Sequence, residues 1–241
     1  MTQLTEWKQF ADLAASLGAS LTSEQVDQFA LYQQLLLDWN ERMNLTAVRD
    51  PAEIRVRHFL DSLSCARVMG DLNGRSLVDV GTGAGFPGLP LKILFPQLRL
   101  TLVESVAKRG QFLQAVVDAL ALDEVRILAE RAEVLGQQPQ HRQQYDWGVA
   151  RAVAELRVLV EYLLPLCRVG GTMLAQKGEG VHEELKSAAT AVRILGGSEP
   201  ILADVALPER EQLHYFVTIK KVEDTPTKYP RRVGMPGKRP L

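Results

Sequence analysis

The stretch Asp79-Val80-Gly81-Thr82-Gly83-Ala84-Gly85-Phe86-Pro87-Gly88 decides the fold. The apolar run Leu77 to Val80 that leads into it reads as a buried strand, and the segment after it reads as a helix. Glycines allow positive φ and let the backbone approach a ligand closely. In an open α/β sheet, ligands sit beyond the carboxyl ends of the strands, at the switch point. The spacing therefore predicts a ligand at this loop.

Working outward, short apolar runs alternate with amphipathic stretches. Leu98 to Val103 reads as a second strand, followed by a helix marked by Phe112, Leu113, Val116, Val117 and Leu120. Val125 to Leu128 and Trp147 to Ala150 read as third and fourth strands. A helix near Glu155 to Leu164 precedes a strand at Gly171 to Ala175, and the last strand spans Leu213 to Ile219. This alternation implies βαβ units and a doubly wound, mostly parallel sheet.

Upstream, the first 65 residues read as helical. Tyr32, Leu35, Leu36, Trp39 and Met43 repeat with the period of one helix face, with Ser23 as the expected cap. Pro51 suits the first turn of a further helix. Asn40 and Asn44 would share a face, either reading RNA or capping or bridging helices. In Arg57-His58-Phe59-Leu60-Asp61, the i,i+3 and i,i+4 pairs of His58 and Arg57 with Asp61 are expected to support the helix. The organisation expected is a helical extension (1–68), a core (69–224) and a basic arm (225–241).

The 241 residues carry 28 Lys plus Arg against 29 Asp plus Glu, a net charge of −1, which excludes a uniformly basic nucleic-acid binder. That total hides an asymmetry: residues 225–241 hold five basic residues (Lys228, Arg231, Arg232, Lys238, Arg239) and no acidic one, leaving −6 on the remainder. Rich in Pro and Gly, this segment cannot form a regular helix and reads as an irregular arm able to lie along phosphates. Cys65 and Cys167 are too few for zinc, and both read as small buried hydrophobes. No secretory signal or membrane span is expected, so the cytoplasm is the simplest location, and with no interface signature in the sequence a monomer is expected.

The ligand follows from the loop's details. Phe86 stands where the third glycine of a dinucleotide G-x-G-x-x-G fingerprint would fall, which disfavours an NAD(P)-dependent oxidoreductase. An acidic residue before G-x-G-x-G, here Asp79 before Gly81, Gly83 and Gly85, instead resembles motif I of S-adenosylmethionine-dependent methyltransferases. Glu104, at the end of the second strand, is placed to accept hydrogen bonds from ribose hydroxyls. Ala132 and Glu133, after the third, are candidates for holding adenine.

Taken with further segments, these residues resemble the bacterial small-subunit rRNA guanine-N7 methyltransferase family, also called the glucose-inhibited division protein B family. The likeness includes Trp39-Asn40, Asn44-Leu45-Thr46, Val56 to Ser62, the loop through Leu91, and Lys108-Arg109 with Phe112-Leu113. It continues through Arg151-Ala152, Lys177-Gly178 and the tail from Lys228 to Pro240. This chain departs from the family's frequent pattern at Ala84 and Ala150. The resemblance implies a seven-stranded class I methyltransferase fold. It implies methyl transfer from S-adenosylmethionine to N7 of a guanine in 16S rRNA, at conventional position 527, with rRNA, the 30S subunit or its precursor as partner. Cofactor contacts carry over to Gly81, Phe86, Ala132, Glu133 and Arg151. Arg151 is the expected positioning residue, and the helix with Arg57 and His58 faces the mouth of the site. Asn44, Arg57, His58, Arg231, Arg232, Lys238 and Arg239 are the candidate RNA contacts. A non-catalytic RNA-binding module on the same fold is the other reading.

Overall fold

The structure is a computed structural model and describes residues 3–208 and 213–241. Met1 and Thr2, which open the chain, lie outside the described residues.

Seven strands form one sheet: β1 (Ser76–Val80), β2 (Arg99–Val103), β3 (Val125–Leu128), β4 (Tyr145–Arg151), β5 (Cys167–Lys177), β6 (Ile201–Ala206) and β7 (Leu213–Lys220). Their order is β3-β2-β1-β4-β5-β7-β6. The first five pair in parallel, and β7 runs antiparallel between β5 and β6. The order reverses between β1 and β4, which makes the end of β1 the switch point. β6 escaped the sequence reading because it is an edge strand, mostly exposed or half-buried, whose apolar residues show no alternation. The central strand β1 reads clearly because four of its five residues are buried, as a parallel strand covered on both faces requires.

Helices α1 (Gln3–Ser16), α2 (Ser23–Met43) and α3 (Pro51–Ile54) make up the start of the chain. The cap of α2 is Thr22, not Ser23: its hydroxyl accepts from Gln25 N–H and the Gln25 side chain reaches back to Thr22 N–H. After α3, residues Arg55–Leu60 form a π-helical turn that runs on into α4 (Asp61–Leu63), before α5 (Ala66–Met69). Across the sheet these pack with α6 (Gly88–Leu94) and α7 (Ala107–Ala119) in one continuous core. Its centre is aromatic, with Phe29 and Phe59 ring centroids 5.1 Å apart and Tyr32 5.5 Å from Phe86. Each such pair contributes about 0.5–1.5 kcal/mol beyond area burial. The opposite face is covered by α8 (Ala132–Leu135), α9 (Leu156–Leu163) and α10 (Val181–Ile194).

The tail differs from expectation. It is folded against the α8–α9 face, with Tyr229 and Pro236 buried, and ends in the short helix α11 (Met235–Lys238). The cause is an anchor absent from composition alone: the buried Glu161 carboxylate accepts from Arg231 Nη2 at 2.6 Å and from its backbone N–H at 2.8 Å.

Besides the ring contacts at Phe86, a hydrogen bond joins the helical extension to the glycine loop: the buried Tyr32 hydroxyl donates to Ala84 C=O. Tyr32→Phe strips that carbonyl of its partner and is expected to lower stability by about 1 kcal/mol, read as a lower urea midpoint; an unchanged midpoint contradicts the assignment.

Candidate functional site

The glycine loop is stapled by the carboxylate beneath it. Asp79 Oδ2 accepts from Thr82 Oγ1 (2.7 Å) and from Gly88 N–H (2.9 Å), holding both ends. Burial pushes Asp79 up to about 6, against the pull of these two donors. Gly81, Gly83 and Gly85 all have positive φ. A Cβ on Gly88 would stand 2.7 Å from Leu102 Cδ2, so close helix–sheet packing falls here and not at position 86. Phe86 can therefore be large, and it is buried in contact with Tyr32 and His58.

Beyond the loop lies a cavity of about 640 Å³ bounded by Gly81, Val103, Ala132, Glu133, Val153 and Tyr162, with Gly237, Lys238 and Pro240 of the tail on one side. Its size is that of a small-molecule site. Glu104, at the end of β2, accepts from Gly83 N–H (3.2 Å) and Val106 N–H (2.8 Å). Its two oxygens keep lone pairs for further donors. A Cβ on Gly81 would sit 2.6 Å from Val153 Cγ2, so the floor admits no side chain there. A carboxylate for a ribose diol, a second at the head of α8 for an adenine edge, and a bare glycine loop between them suit S-adenosylmethionine.

A second hollow of about 480 Å³ lies beside the first, bordered by Asp61, Arg151, Ala152, Gln176, Lys177 and His214. The end of β4 divides them: Arg151 and Ala152 face one hollow, Val153 and Ala154 the other. Ala152 has φ +56, which sharpens the turn. Lys177 braces it by donating to Ala154 C=O (2.9 Å) and pairing with Glu184 (2.6 Å).

Arg151 is held from three directions. It pairs with Asp61 (2.7 Å), donates to Arg57 C=O (3.3 Å) and lies 5.0 Å above the Phe86 ring. Asp61 also meets His214 Nδ1 at 2.6 Å, and its backbone carbonyl accepts from Gln176. Burial works to raise the Asp61 carboxyl, but His214 and Arg151 outweigh it and hold it below the usual range. Neither expected helical pair forms. Just after the π-helical turn, at the start of α4, Asp61 is buried, while Arg57 pairs back to Glu53 at 3.4 Å. His214 and Gln176 were missed in the sequence because their strand positions carry no local motif.

Other expected contacts need correction. His58 stacks on Phe86 (4.7 Å) with Nε2 2.8 Å from Thr46 Oγ1, and burial followed by nearby Arg151 lowers it to about 4. It is neutral at physiological pH and gives phosphate no charge. Arg231 is paired with the buried Glu161 at 2.6 Å, so its charge is balanced within the protein. Asn44 is the left-handed C-cap of α2, outside the helix face it was expected to share with Asn40. Asn40 is buried and brackets Thr46 through its N–H (2.9 Å) and C=O (3.0 Å). Arg57, Arg232, Lys238 and Arg239 are exposed. Among the described residues, no group of three or more His, Cys, Asp or Glu could hold a metal, and no helix is long and apolar enough to cross a membrane.

This fold, with its glycine loop after β1, Glu104 closing β2 and Glu133 in the cavity wall, defines a class I S-adenosylmethionine-dependent methyltransferase. Solved structures agree on the fold: a SAM-dependent methyltransferase from Aquifex aeolicus matches with a TM-score of 0.56 at 16% identity, covering 74% of this chain and 97% of that one. A SAM-dependent O-methyltransferase from Thermotoga maritima matches at 0.54 and 14%, covering 79% and 72%. The family model "GidB: rRNA small subunit methyltransferase G" matches residues 25–212. "Ribosomal RNA small subunit methyltransferase G" of Roseiflexus castenholzii is 53% identical over 229 residues, 95% of this chain and 97% of the relative. The protein of that name in Halalkalibacterium halodurans is 44% identical over 239 residues, 99% of each. The chain belongs to the GidB family of rRNA small-subunit methyltransferases.

The depressed value of His58 has a direct readout. The folded form resists protonation between pH 6.5 and about 4 while the unfolded form accepts a proton, so this residue's contribution to stability falls as pH drops through that window. Nuclear magnetic resonance titration of the His58 ring is expected to show a midpoint near 4; a midpoint near 6.5 contradicts the buried, neutral ring.

Proposed function

We propose that this protein transfers the methyl group of S-adenosylmethionine to N7 of a guanine in small-subunit rRNA, the guanine conventionally numbered 527. The observation that carries this reading is the pair of adjoining hollows split by the Arg151–Ala154 turn, in a chain of this family. Glu104, Glu133 and the Gly81 backbone would hold the cofactor in the larger hollow. When bound, S-adenosylmethionine supplies an electrophilic methyl on a sulfonium. The base would enter from the side of Arg151.

Guanine N7 has an in-plane lone pair and no proton, so no side chain has to act as a base. Neutral His58 fits that requirement, since it neither takes nor delivers a proton near pH 7. The side chains supply orientation, a factor that reaches roughly 7–11 kcal/mol in well-aligned reactions. An arginine forked across O6 and N7, a common guanine contact, would occupy the nucleophile. Arg151 avoids this because its Nη1 is held by Asp61 and Arg57 C=O while Nη2 lies 3.5 Å from His58 Nδ1, so the guanidinium is turned by protein groups and can meet O6 or a phosphate without forking across N7. The methylated base gains positive charge. Because Asp61 balances Arg151, the guanidinium can orient the base without its full charge opposing that gain.

Exposed Arg57, Arg232, Lys238 and Arg239 supply local positive charge for phosphates on an otherwise acidic body. A dinucleotide oxidoreductase is disfavoured by Phe86, and a binding-only module by the intact cofactor carboxylates.

Labelled S-adenosylmethionine incubated with unmethylated 16S rRNA and with 30S particles lacking the mark is expected to label guanine N7. Cofactor binding without transfer to either substrate would favour the binding module. Arg151→Ala, kept folded as judged by circular dichroism, is expected to lose at least about 100-fold in kcat/KM, equivalent to about 2.7 kcal/mol of transition-state stabilisation. Full activity in the folded variant overturns the role of Arg151.

A further inference from the structure

The tail is fastened more elaborately than a solvated end requires. Arg142 donates to the carbonyls of Thr225 (2.6 Å) and Tyr229 (2.7 Å), and Gln137 donates to Pro230 C=O (2.8 Å). A Cβ on Gly136 would lie 2.7 Å from the Pro230 ring, so α8 and the tail meet without a gap. Beyond this, Glu161 of α9 is fully buried and takes three N–H groups from Arg231: backbone N (2.8 Å), Nε (2.9 Å) and Nη2 (2.6 Å).

A buried ion pair is weak evidence for stability, because apolar residues of similar volume often do as well or better. Its directionality is more informative. The planar fork and the backbone N–H together fix how the chain leaves residue 231. Three residues on, at φ +77, Gly234 N–H donates to Glu133 Oε1 at 2.9 Å. Glu133 is also hydrogen-bonded to Tyr162. The segment then turns through α11 and brings Gly237, Lys238 and Pro240 to the wall of the cofactor cavity.

We infer that Arg231 and Glu161 are a positioning pair for the cofactor site. They seat the tail so that Gly234 N–H orients the Glu133 carboxylate toward the adenine amino group and residues 237–240 close the adenine end of the cavity. This inference rests on the S-adenosylmethionine reading above. It turns a segment that composition marks as an RNA arm into a wall of the cofactor pocket. Its exposed cations, Arg232 and Arg239, remain on the outside.

The test is calorimetry with S-adenosylhomocysteine on the full chain, as wild type, Arg231→Ala and Arg231→Lys, alongside steady-state methylation. Arg231→Ala is expected to weaken binding about tenfold, the size of one lost hydrogen bond to a charged group. KM for S-adenosylmethionine should rise in step, while kcat at saturating cofactor changes by less than about twofold. Arg231→Lys, which keeps the charge but not the fork, should recover some of the affinity. Unchanged affinity in folded Arg231→Ala overturns the inference. Should that variant fail to fold, hydrogen exchange on the wild type decides: S-adenosylhomocysteine is expected to slow exchange across residues 230–240, and no slowing there overturns it equally. A wild type that binds no S-adenosylhomocysteine fails the cofactor reading instead.

Discussion

A single buried carboxylate ties the catalytic face together. Asp61 belongs to the helical extension, yet its side chain holds Arg151 at the end of β4 and His214 on β7. Its backbone carbonyl receives Gln176 of β5. Three neighbouring strands are thereby referred to one point on the extension. Removing Arg151 would leave the buried Asp61 charge with fewer partners, a change that costs about 3–5 kcal/mol when a buried pair is broken. The π-helical turn at Arg55–Leu60 makes the contact possible, because its wider spacing aims Asp61 inward and leaves Arg57 on the surface.

Asp79 has the matching role on β1, at the cofactor side. It too is a buried carboxylate that accepts from local donors, Thr82 Oγ1 and Gly88 N–H. The two acids divide the work: Asp79 shapes the glycine loop, and Asp61 sets the arginine at the boundary between the two hollows. Tyr32 and Phe59 connect the layers under both, so the extension and the sheet respond as one body. A reaction that needs alignment and no proton transfer is well served by such an arrangement, in which charged groups near the reacting atoms are already neutralised or restrained.

Much of this was legible in the sequence where its cause is local. The strand, loop and helix around Gly81 read correctly because burial on both faces makes β1 a continuous apolar run and because the glycines cluster in one turn. Glu104 and Ala132-Glu133 follow from their position just after a strand. The clamp was not legible. Asp61 lies 90 residues from Arg151 and 153 from His214, and its neighbours offered plausible helical partners that the π-turn denies it. The tail misled for a related reason. Five cations among prolines and glycines describe an RNA-binding arm, and only the fold reveals that Glu161, 70 residues upstream, claims one of them. The edge strand β6 was silent because an exposed edge imposes no hydrophobic period.

The most direct measurement is a double-mutant cycle between Asp61 and Arg151, with Asp61→Asn and Arg151→Met made singly and together. Both unfolding free energy and kcat/KM for rRNA methylation are read. The predicted result is strong coupling, about 2 kcal/mol in stability, with the double variant little worse in rate than either single one. Losses that simply add, in stability and in rate, would contradict a site organised by the Asp61 carboxylate.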